Sequence, residues 1–63
     1  MPIAVVIELI QILPQLAQAG ISLAPVILKI IATIEGAKAD GRAPSDVEWQ
    51  AMLAHAKSLQ PAA

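Results

Sequence analysis

Sixty-three residues make at most one small domain, and a domain near this size buries only about 60% of the surface of its unfolded chain. Apolar residues are 57% of the total, which excludes disorder as a description of the whole chain. A net charge of −1 excludes the basic footprint that nucleic acid demands, and the lack of Cys excludes disulfides and thiolate metal sites.

Residues 1–34 carry only two charges, Glu8 and Lys29. No basic residue precedes Ile3, so no secretory leader is expected. The spacing predicts a first helix over residues 3–19. Glu8, Gln11, Gln15 and Gln18 recur every three or four positions and fall within an arc of about 80°. Ile3, Val5, Val6, Leu9, Ile10, Ile12, Leu13 and Leu16 fill most of the remaining circumference. That apolar face is about twice the ~100° stripe of an ordinary bundle helix, so neighbours are expected on two sides. Pro14 lacks an N–H and crowds the Ile10 carbonyl, which predicts a kink or short break near residues 11–14.

Gly20 is a natural stop. Ser22 can cap a second helix over residues 23–39, with Pro25 tolerated in its first turn. Lys29, Thr33, Gly36 and Asp40 make a narrow polar stripe on it, and Val26, Ile27, Ile30, Ile31 and Ile34 are apolar. A strand over residues 27–34 is the competing assignment, but it alternates poorly and has no pairing partner. Residues 40–45 read as a turn. Ser45 and Glu48 then form a capping box, with Pro44 and Trp49 placed as a hydrophobic staple. The third helix covers residues 46–59 and ends before Pro61. Its apolar face is Trp49, Met52, Leu53, Ala56 and Leu59, with His55 and Lys57 on the polar side. The predicted class is all-α in a single domain: an apolar helical hairpin (1–39), a turn (40–45), and an amphipathic helix with its tail (46–63).

No residue set suits catalysis, a cofactor or a metal. His55 is the only histidine and is expected to be a solvated surface residue, with neither a second ligand nor a nucleophile beside it. Asp40, Asp46 and Glu48 are explained by the helix dipole and by capping. Ser22 and Ser45 are explained as caps and Ser58 as a helix-end residue. Glu8 and Lys29 could form an intramembrane charge pair or proton site, but the favoured reading leaves each on its polar stripe, facing solvent, a partner's polar groups, or the other across the hairpin. Trp49 could be a binding hot spot; its place on the staple favours a local anchor. Arg42 sits in an exposed turn with nothing to distinguish it. The chain is therefore expected not to be an enzyme, and Ser45, Glu48 and Trp49 are expected to be structural anchors.

The apolar surplus calls for a partner. The predicted interface comprises Ile3, Val6, Leu9, Ile10, Leu13 and Leu16 on the first helix, with Val26, Ile27, Ile30, Ile31 and Ile34 on the second. Lipid is the weaker candidate. The longer apolar run, residues 21–34, reaches only about 21 Å against a bilayer core of about 30 Å. Lys29 at its centre would cost roughly 2.5–3.5 kcal/mol, and no Trp or Tyr anchors the segment ends.

The segment Gly41-Arg42-Ala43-Pro44-Ser45-Asp46-Val47-Glu48-Trp49-Gln50-Ala51-Met52-Leu53 resembles a recurring ending of small helical proteins encoded by tailed bacteriophages. Gly41, Pro44, Ser45, Glu48 and Trp49 carry that likeness, together with the apolar two-helix front. The resemblance implies a phage setting and transfers no functional residue. The leading expectation is a structural protein that buries its front helices in copies of itself or a larger assembly, as a minor capsid, tail or connector component of the virion. The alternatives are a holin-like protein of the bacterial inner membrane, acting in lysis, and a small regulatory binder of a host protein in the cytoplasm.

Overall fold

A computed structural model describes residues 2–60; the predicted tail at 61–63 lies outside the described residues. They form three helices and no strand: α1 (Ile3–Gln18), α2 (Ala24–Ala39) and α3 (Asp46–Ser58). The fold is all-α, a helical hairpin with a third helix. Each helix end falls within one residue of the sequence expectation.

α1 continues unbroken through Pro14, so the break expected near residues 11–14 does not occur. Its position explains the tolerance. Pro14 is exposed, and Ile10, whose carbonyl loses its helical donor, is also exposed, so water can supply the missing bond. Gly20 then ends the helix with φ at +78°. The N–H of Gly20 donates to the Ala17 carbonyl (3.1 Å) and that of Ile21 to the Leu16 carbonyl (3.0 Å). This paired closure satisfies two orphan carbonyls and needs a left-handed residue between them, which glycine provides at least cost.

Ser22 acts one position outside the place expected of it. Leu23 is the N-cap of α2, and the Ser22 hydroxyl accepts instead from the Ala24 N–H at 3.3 Å. Pro25 sits at the second helical position, where no N–H is needed. The α2 C-terminus repeats the closure of α1. Gly41 has φ at +71°, its N–H donates to the Lys38 carbonyl (2.9 Å), and that of Arg42 donates to the Ala37 carbonyl (3.0 Å).

The capping box of α3 is present in both directions. The Ser45 hydroxyl accepts from the Glu48 N–H at 3.2 Å, and the Glu48 carboxylate accepts from the Ser45 N–H at 2.9 Å. α3 packs against both arms of the hairpin, while the arms nowhere bring their Cα atoms within 8 Å of each other. The core therefore follows α3. Met52, Leu53 and Ala56 meet Leu9, Ile12 and Leu16 of α1 and Val26 of α2, with Trp49, Leu59, Leu13 and Ile30 packed around them. A one-sided helix that must serve two arms covers only one stripe of each.

Candidate functional site

The polar groups come first, because they decide what chemistry the surface can do. Arg42, reached through the closure at Gly41, donates from Nη1 to the Glu48 carboxylate and to the Ala43 carbonyl (3.2 Å), and its Nη2 lies 3.6 Å from Asp40. The Arg42 guanidinium, and then the Ser45 N–H, hold the Glu48 carboxyl down at about 2, from an ordinary 4.5. Glu48 in turn raises Arg42 above its ordinary value. This network ties the end of α2 to the start of α3 and engages the Glu48 carboxylate from both the Arg42 side chain and the Ser45 backbone. Sequence reasoning missed Arg42, although an arginine three residues past a helix end and six before a capping glutamate was a visible signal.

Glu8 pairs with Lys57 of α3 at 2.9 Å, not with Lys29. Lys29 is exposed on α2, and its carbonyl accepts from the Thr33 hydroxyl at 2.8 Å. His55 departs from its expected solvated place. It is half-buried, and its Nε2 is shut off from solvent with no hydrogen-bond partner. It lies on the flank of α3, one position from the Ala56 core contact, and packing draws the ring inward. Among the described residues no group of three His, Cys, Asp or Glu side chains could hold a metal. An open cleft of about 310 Å³ lies between Gln15, Leu16, Ala19 and Gln60. Among the described residues its polar side chains are the two carboxamides of Gln15 and Gln60, which can bind but cannot transfer a proton.

The distinctive surface is apolar. Ile3, Ile7 and Ile10 on α1 are 65%, 49% and 60% exposed; Ile27, Ile31 and Ile34 on α2 are 44%, 46% and 41% exposed. Both sets follow the same spacing, i, i+4, i+7, which lines up one face of a helix. Leu28 on α2 and Val47 on α3 are also exposed.

The eleven residues expected at a partner interface are thereby divided. Leu9, Leu16 and Val26 go to the chain's own core and are closed to a partner; that assignment is corrected. The reason is that α3 needs one stripe from each arm and takes the one nearest it. Val6, Leu13 and Ile30 are half-buried, the last two against that core. Ile3, Ile10, Ile27, Ile31 and Ile34 stand on the outside. Ile7 and Leu28 were not singled out, although Ile7 completes the arc of Ile3 and Ile10. Ser45, Glu48 and Trp49 are where the structural reading placed them: cap, box partner and core-packed ring.

Comparison of the chain with protein-family models, with curated proteins and with solved structures finds no match.

Proposed function

We propose that this chain is a non-enzymatic assembly element whose exposed isoleucine stripes are covered by protein, either copies of itself or a larger structural protein. The carrying observation is that six isoleucines at matched spacing stay outside after the core is complete. Burying an Ile side chain fully is worth about 1.5–3 kcal/mol. At 41–65% exposure, the six withhold on the order of 5–9 kcal/mol, and two opposed faces of this kind can offset the roughly 4–15 kcal/mol cost of association. The capped α3, with its Arg42–Glu48 network, would present the polar side. The likeness of the Gly41–Trp49 segment to small phage-encoded proteins supplies the setting: a minor virion component of capsid, tail or connector.

Lipid covers such stripes less well. No described helix is long and apolar enough to cross a membrane, and α1 and α2, at 16 residues each, reach about 24 Å of the roughly 30 Å needed.

The mass of the native species in detergent-free extract tests this. The expected result is a protein complex of fixed stoichiometry well above 6.6 kDa, absent from the membrane pellet. A lone chain of that mass, or one that pellets with membranes, would overturn the reading.

A further inference from the structure

The turn that closes α2 holds a reactive dipeptide. Asp40 is followed directly by Gly41, whereas the other aspartate of the chain, Asp46, is followed by Val47, and asparagine is absent. The amide nitrogen of the next residue can attack an aspartyl side chain, and glycine, with no Cβ, leaves that nitrogen most open. Nothing lies within 4 Å of where a Cβ on Gly41 would stand, and the Asp40 side chain is 67% exposed. The β-branched Val47 instead crowds its own nitrogen, and Asp46 is held in the first turn of α3. Aspartyl reactivity therefore concentrates at one bond.

The fold keeps that bond out of reacting geometry. A five-membered ring needs Asp40 Cβ and the Gly41 nitrogen on the same side of the Cα–C bond. With ψ at 3°, the Gly41 nitrogen eclipses the Asp40 nitrogen, and the tetrahedral Cα sets Cβ a third of a turn away. Two hydrogen bonds fix this arrangement: Gly41 N–H to the Lys38 carbonyl (2.9 Å) and Arg42 N–H to the Ala37 carbonyl (3.0 Å). Arg42 adds a side-chain tie, with Nη2 3.6 Å from the Asp40 carboxylate and Nη1 on Glu48 of α3. Residues 40–42 are all exposed, so water competes for these bonds and they open more readily than the core does.

We propose that Asp40–Gly41 is a self-modification site, held shut by the α2 closure and converted to an isoaspartyl linkage when that closure opens. The Gly41 nitrogen bonds to Asp40 Cγ, the Cγ–OH bond breaks, and the hydroxyl leaves with the amide proton as water. A second water then opens the succinimide ring. Attack at Cγ restores aspartate; attack at the main-chain carbonyl leaves the backbone running through Cβ and Cγ. The longer backbone no longer fits between Ala37 and Arg42, so the closure is lost for good. This inference is independent of what covers the isoleucine stripes.

Incubation of the pure full chain at neutral pH, with isoaspartate mapped by electron-transfer fragmentation in a mass spectrometer, tests it. Isoaspartate should accumulate at Asp40 and not at Asp46, at least about tenfold faster in guanidinium chloride than in native buffer. Arg42→Ala should speed conversion in native buffer roughly threefold, the scale of losing an exposed ion pair. Asp40→Glu, whose ring would need six members, should abolish the signal. No isoaspartate at Asp40 in the unfolded chain would overturn the proposal, and so would equal rates with and without denaturant. Equal conversion at Asp46, or an Arg42→Ala rate no higher than wild type, would be as damaging. If Arg42→Ala loses helicity in circular dichroism, Glu48→Gln takes its place, because it weakens the same tie from α3 and carries the same expectation.

Discussion

Arg42 joins three kinds of interaction at a single turn. Its backbone N–H closes α2, while its side chain bridges Asp40 and the capping glutamate of α3. Glu48 consequently titrates far below its ordinary range, at about 2. The sign follows from proton linkage. The folded value lies under the unfolded one, so the unfolded chain takes the proton first. The stabilisation is complete above about pH 4.5, is lost progressively as pH falls, and is gone below about 2. Urea unfolding between pH 7 and pH 2 should show this decline, and Glu48→Gln should flatten it; equal slopes in both proteins would refute the assignment. Ser45→Ala removes the other half of the box and should cost about 1 kcal/mol at neutral pH, readable as a drop in Tm. His55 bears the opposite expectation. A polar ring nitrogen buried without a partner costs about 1–3 kcal/mol, so His55→Leu should leave stability unchanged or raise it by about 1 kcal/mol in the same assay.

At the scale of helices, local chemistry located every end and long-range packing decided the rest. The Ser45–Glu48 box, Pro44 and Trp49 made α3 legible because capping involves neighbours in sequence. Gly20 marked the end of α1 for the same reason. Pro14 does not interrupt α1, because the Ile10 carbonyl that it leaves without a helical donor is exposed to water, and exposure is a tertiary property. Ser22 misled by one position, because a hydroxyl two residues before an N–H can bond it as well as a true cap can. Two glycines separate these influences. Gly36 lies inside α2 with open space where a Cβ would stand, so Gly36→Ala should stabilise by roughly 0.5–1 kcal/mol. Gly41 sits at positive φ, so Gly41→Ala should cost on the order of 1–2 kcal/mol. Thermal unfolding of the two variants should move Tm in opposite directions, and a shared direction would contradict the two conformations.

For the whole molecule, the accessible surface is 4135 Å². A folded protein of 6.6 kDa is expected to expose about 3,900 Å², and its unfolded chain about 9,600 Å². The chain thus hides about 57% of its surface, close to what its size allows. Its exposed isoleucines are a surplus of composition, not a sign of loose packing. The sequence revealed that surplus but could not assign it. More than half of the α1 circumference is apolar, and which part faces inward depends on where α3 lands. That placement has a direct energetic consequence. Leu16 is 1% exposed at the centre of the core, whereas Ile10, six residues earlier on the same helix, is 60% exposed. Leu16→Ala should cost about 3 kcal/mol through lost transfer and a residual cavity. That is a large share of the roughly 3–9 kcal/mol expected for a chain of this length. Ile10→Ala should change the stability of the single chain by no more than about 0.5 kcal/mol, since no cavity forms and Ala favours helix. Measured by denaturant titration at concentrations low enough to keep the protein monomeric, the two losses should differ at least fivefold. Equal losses would place Ile10 inside the folded unit and leave α1 with no free stripe to offer a partner.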